Sequence, residues 1–145
     1  MISAIKNIKR VFSQNGGGGA ATNLVGSPCE IQLAASDETT ALTTGTAKVS
    51  FRMPFAMTLT EVRASLVTAQ TSGLLLNFNI KEAGLSVLST RITIDNTELT
   101  SVTAATPPVI SDANLADDAL ITIDIDQIGD GTAKGLKVLL KGTRA

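Results

Sequence analysis

The chain has no histidine, no tryptophan and no tyrosine, and Cys29 is its only cysteine. Without histidine there is no Ser-His or Cys-His nucleophile pair and no imidazole metal ligand. A solitary thiol forms neither an internal disulfide nor a cysteine-based zinc site. Cys29 therefore reads as a small apolar residue to be packed. The four phenylalanines are the whole aromatic complement, so the stacked platforms that usually line carbohydrate clefts are scarce. Charge of one sign is missing too: 12 basic residues face 13 acidic ones, which leaves no bulk field to draw in nucleic acid or an anionic membrane. No run approaches the roughly 18 apolar residues that span a bilayer, and the start of the chain lacks the apolar core of a signal peptide.

Within 145 residues there is room for one compact core, and the charge divides the chain at about residue 28. The first part, residues 1–28, holds Lys6, Lys9 and Arg10 and no acid, whereas residues 29–145 hold nine basic and thirteen acidic residues. In the opening MISAIKNIKRVF, the residues Ile2, Ile5, Ile8, Val11 and Phe12 fall on one side of a helical wheel, with Lys6 and Arg10 opposite. A helix of about twelve residues is marginal alone and orders against whatever covers its apolar face. The unbroken run Gly16 to Gly19 and the small residues after it read as a tether. A phosphate-binding loop would need Lys-Ser/Thr after those glycines and a strand before them. Three basic residues are too few for stable attachment to a membrane or nucleic acid, so Ile2, Ile5, Ile8 and Phe12 are expected to dock on a protein partner.

From Cys29 onward the chain becomes short, threonine-rich, β-type runs broken by turns. Strands are expected near residues 30–35, 47–53, 57–68, 74–81, 86–94, 97–103, 119–126 and 135–142, about eight in all. Val49, Phe51 and Met53 alternate with Ser50 and Arg52, and Ile121, Ile123 and Ile125 alternate with Thr122, Asp124 and Asp126, the pattern of strands with one buried face. Strands at this spacing predict an all-β, antiparallel sandwich of jelly-roll type, preceded by a short helical or extended arm. Leu74-Leu75-Leu76 and Val138-Leu139-Leu140 carry apolar side chains on both strand faces, which fits either sandwich strands covered by loops of the chain itself or, slightly favoured, an outer face packed against copies of the same chain. Leu74, Leu76 and Leu139, with Arg52 and Arg63 pairing against Glu61 or Glu82, are the candidate oligomer contacts.

No catalytic set is legible and no cofactor is called for. Asp124, Asp126 and Asp130 are oxygen donors of the kind a hard cation takes, but their spacing meets only part of a calcium-loop pattern. An outward strand face followed by a solvated turn accounts for them without a metal. A carboxylate pair for glycoside hydrolysis, using Asp117 or Asp118, would lack the apolar, usually aromatic surround that raises one pKa.

The segments FRMPF (51–55), VRASL (62–66), STRITID (89–95), QIGDGTAKGLKV (127–138) and the closing LKGTRA resemble a domain that recurs in phage and prophage virion proteins, often at the C-terminus of tail-fibre-like proteins behind a stalk. The likeness runs from about Ala34 to the end. It implies a bacteriophage virion structural protein, displayed on the virion surface as a homotrimer without catalysis, whose partners are capsid or tail proteins of the same particle. With only about 28 residues ahead of the body and no stalk, the expected form is a capsid decoration or head fibre docked through its arm. A tail-fibre receptor-binding module, touching a host surface glycan or protein through Thr71–Gly73, Thr103–Pro108 and Asp130–Lys134, is the alternative.

Overall fold

The computed structural model describes residues 24–145; Ile2, Ile5, Ile8 and Phe12 lie outside them. Eleven strands run in the order β1 (Pro28–Ala34), β2 (Gly45–Arg52), β3 (Met57–Ser65), β4 (Leu76–Glu82), β5 (Leu85–Ser86), β6 (Leu88–Thr90), β7 (Ile92–Ile94), β8 (Val109–Ile110), β9 (Asn114–Leu115), β10 (Leu120–Gln127) and β11 (Lys137–Arg144). One sheet has the order β1-β11-β3-β9, and the other β2-β10-β4-β5, with β7 also on β4. All pairings are antiparallel.

Both β5 and β7 sit on the same edge of β4, at its two ends, while β6 between them turns away to pair with β8. Taken as one interrupted strand, β5–β7 is the fifth of eight, and β8–β9 is the sixth. The sheet orders are then 1-8-3-6 and 2-7-4-5, with successive strands crossing between sheets except from the fourth to the fifth. That is the two-Greek-key connectivity of a jelly roll. For the β body the predicted and observed folds agree, although two of the eight strands are broken; the expected arm lies almost wholly outside the described residues.

The core lies between the sheets. Ile121, Ile123 and Ile125 of β10, Phe78 and Ile80 of β4, Val62 of β3, and Val138 and Leu140 of β11 are all buried, and Cys29, Ile31, Leu33, Val49 and Phe51 pack against them from the two outer strands. Cys29 is only partly covered; that burial pushes its thiol up. In β3 the inward set changes parity, from Met57 and Leu59 to Val62 and Ala64, because the register against β11 slips between Lys141 and Gly142. Gly142 is required at that slip, since a Cβ there would come within 2.1 Å of the Thr58 carbonyl oxygen.

Two expected strands take a different form. Residues 97–103 make a turn at Thr97, whose φ is 69°, and a 3-10 turn over Ser101–Thr103 capped by Thr100. Here side chains replace the ladder: Asp95 Oδ2 accepts the Ala105 N–H at 2.9 Å, and Ser101 Oγ accepts that of Ala64, also at 2.9 Å. The strand expected from Leu74 starts at Leu76, because Leu74 belongs to a loop whose carbonyl accepts from Gln70 Nε2 at 2.6 Å.

Candidate functional site: two outer sheet faces and a loop end

The strand directions give the body two distinct ends. Pro28, Met57 and Arg144 gather at one end through the β1-β11-β3 register, where Gly26 N donates to Arg144 O at 2.7 Å. Ala34, Ser65 and Lys137 mark the other. From that end spring the long β1–β2, β3–β4 and β10–β11 loops. Asp130 is its organiser. One carboxylate oxygen accepts from Thr71 N, Thr71 Oγ1 and Ser72 N at 2.7–2.9 Å; the other accepts from Thr132 N and Oγ1 at 3.0 and 2.6 Å. The hydroxyls of Thr132 and Thr71, helped by the Thr71 and Thr132 amides, hold this carboxyl well below the usual carboxylate range. Thr71–Gly73 and Asp130–Lys134 are thus tied together, while Thr103–Pro108 runs down the side of the body toward β8.

On the outer face of the β2-β10-β4 sheet, most polar groups pair with one another, while Asn77 Oδ1 is buried without a hydrogen-bond partner among the described residues. β2 bulges opposite Asp124, since Ile123 pairs with Val49 but Ile125 with Gly45. Asp124 Oδ1 accepts the N–H of Ala47, within the bulge, at 2.7 Å; Ala47 is in the left-handed region at φ 48°. The other oxygen stands 2.6 Å from Lys81 Nζ without a well-aligned hydrogen bond, so charge carries that contact. Asp124 and Asn79, although on an outer face, are each only 1% exposed. Ser86 Oγ donates to Asn79 Oδ1 at 2.7 Å, Arg91 Nη1 donates to Ser86 Oγ at 2.9 Å, and Arg91 Nε reaches Asp126 Oδ2 at 3.1 Å. The acids Asp124, Asp126 and Asp130 therefore serve three separate protein partners. Among the described residues no group of three metal-ligating side chains converges.

The outer face of the β1-β11-β3 sheet is built otherwise. Its register forms rows: Glu30, Lys141 and Glu61; then Gln32, Leu139 and Arg63; then Ala34, Lys137 and Ser65. Lys141 Nζ stands between Glu61 at 3.5 Å and Glu30 at 3.9 Å. Arg63 pairs with Glu61, and its guanidinium holds the Glu61 carboxyl below its ordinary value. A groove of about 430 Å³ runs along the β3 edge between Thr60–Arg63 and Pro107–Ile110, with Ser101 and Val102 at one end. A second, of about 200 Å³, continues past Val102 and Arg63 over Gln32 and Leu139. Val102 and Val109 are 60% and 49% exposed on its rim.

The β3 edge is open there. Ala64 N turns away from β11 to Ser101, so Val62, two residues back on an unbroken register, turns its N–H and C=O the same way. β9 reaches only Met57 and Thr58, and Leu59 N donates to Ala113 O. Val62 thus has no ladder partner on this side among the described residues.

Of the five contact residues expected from sequence, Arg63 and Leu139 come together on this face. Leu76 is a correction: it is fully buried in the chain's own core, because β4 begins there with its side chain turned inward. Leu74 is 65% exposed but belongs to the loop end. Arg52 is also apart, donating to Asp118 O at 3.0 Å, and Glu82 accepts the Ala116 N–H rather than an arginine. Sequence reasoning missed Val102 and Val109. Their signal was two valines flanking Pro107-Pro108 in an otherwise small and polar stretch.

No protein-family model matches the chain, and no curated protein or solved structure matches it.

Proposed function

We propose that this chain is a non-catalytic structural module of a phage-type virion, a homotrimer on the particle surface docked on a capsid or tail protein through residues 1–28. The observation that carries the reading is the polarity of the body. The arm enters it beside Pro28 and Arg144, and the long loops project from the opposite end, so an arm held on a particle leaves those loops facing outward. The composition supports a role without catalysis, since the usual nucleophile-base and imidazole-metal sets require histidine. Three arms joined through one trimer would raise the effective concentration of each after the first docks, so a weak single contact suffices.

A receptor-binding module is the second reading, favoured by one observation: Asp130 fixes the β3–β4 and β10–β11 loops to each other. A pre-ordered loop surface loses little entropy on binding. Removing residues 1–15 tests both. Loss of particle attachment by a protein that still assembles supports the decoration reading. If shortened protein still attaches, the arm is not the anchor and that reading fails. For the receptor reading, substitutions in Thr71–Gly73 should abolish host adsorption by particles that retain the protein.

A further inference from the structure

We infer that the outer face of the β1-β11-β3 sheet, from Leu139 across the β3 edge to Val102 and Val109, is the surface on which a second copy of this chain docks. The inference rests on the trimeric reading above and names the face that makes the trimer.

Three features meet on that face. First, it carries both signs of charge in neighbouring positions: Glu30 and Glu61 flank Lys141, with Arg63 one row away. A site for a polyanion would be of one sign. In a ring of three identical chains this face meets a different surface of its neighbour, and mixed charges fit a partner surface that is itself mixed, as the body of this chain is. Second, apolar area lies beside those charges. Val102 and Val109 are largely exposed, and the groove below them is walled by Pro107 and Pro108, which cannot donate backbone hydrogen bonds. This is an apolar centre with a charged rim, the anatomy of a protein interface. Third, Val62 presents an unpaired N–H and C=O to the groove among the described residues, a pair that an approaching backbone or side-chain amide would satisfy.

On the other sheet's outer face, Lys81, Asp124, Asn79, Ser86, Arg91 and Asp126 are matched within the chain.

The test is the solution mass of the full-length protein by light scattering. The wild type is expected at three times the 15.0-kDa chain mass. Leu139→Glu and, separately, Val102→Glu are expected to reduce the mass to one chain. Their cooperative thermal unfolding should persist, because both side chains point away from the core. Leu74→Glu, at the loop end, should stay threefold. Should Leu139→Glu and Val102→Glu both remain threefold, the face is wrong while the trimer stands. A monomeric wild type overturns the trimer and the face together. Collapse to one chain in the full-length Ile8→Asp, Phe12→Asp double variant, with Leu139→Glu unaffected, would assign assembly to the arms and overturn the proposal.

Discussion

On the β2-β10-β4 face, Asp124 is enclosed by the Ala47 amide and Lys81, and Asn79, Ser86, Arg91 and Asp126 complete one another. On the β1-β11-β3 face, Lys141 is shared between two acids at 3.5 and 3.9 Å, apolar side chains stand on the rim, and a strand edge lacks a partner. Both faces belong to strands of similar length in the same sandwich. What separates them is burial: Asp124 and Asn79 are 1% exposed, whereas the side chains of Arg63 and Glu61 are each 39% exposed. A buried polar network contributes to the fold, whereas exposed ion pairs leave their face free for contact.

The contrast breaks most sharply at Asp124. Asp124→Ala leaves the Ala47 amide without an acceptor and Lys81, whose side chain is 28% exposed, without its partner, and should cost about 1–3 kcal/mol of stability, read by urea unfolding at neutral pH. A loss below about 1 kcal/mol would mean that this face is not closed by the network described.

At the centre of the shared core, Ile123→Val removes one methylene and should cost roughly 0.5–1.5 kcal/mol in the same assay, affecting both faces equally. On the open face, Arg63→Ala should change the stability of a single chain by no more than about 1 kcal/mol, since Arg63 and Glu61 are both well exposed. Comparing this value with the Asp124→Ala loss sharpens the distinction between fold and contact surface.

The smallest effect concerns acid. Asp130 is depressed in the folded state by the Thr132 and Thr71 groups that donate to it. Its contribution is therefore present above the ordinary carboxylate value of about 3.9 and is lost as pH falls below it toward the folded value. An NMR titration should find the Asp130 midpoint below that ordinary value. Asp130→Asn should remove its part of the acid dependence and speed hydrogen exchange at Thr71 and Ser72; unchanged exchange would show that Asp130 does not hold the loops.

Much of this was legible in the residues. The Ile121, Ile123 and Ile125 alternation set the inner face of β10, because a period of two fixes side-chain direction once one face is buried. Arg63, singled out as an arginine in an otherwise apolar strand, and Leu139, singled out from an apolar run, are neighbours on one outer sheet face. Leu76 was misassigned because a run of three leucines gives no parity: whether Leu74 lies in a strand depends on Gln70, Asn96 and Asp130 holding the preceding loop, and these contacts link residues up to 59 apart in sequence. The 97–103 segment failed for a related reason. Its threonines suit a strand, but the hydroxyls of Thr100 and Ser101 are used on backbone amides instead. The open β3 edge had no sequence signature at all, being the place where a neighbouring strand was diverted to β6.

Leu24 and Ala145 line one hollow with Phe55 and Arg144, and Arg144 stacks on the Phe55 ring at 4.1 Å from its centroid. The two ends of the described body therefore lie side by side. They can be joined by a short linker and the chain reopened at the Ala83-Gly84 turn, giving a circular permutant whose sheets keep every pairing while the order of synthesis changes. In that molecule the arm could be grafted onto a different corner of an unaltered jelly roll, so that where the body is held becomes a choice separable from how it folds.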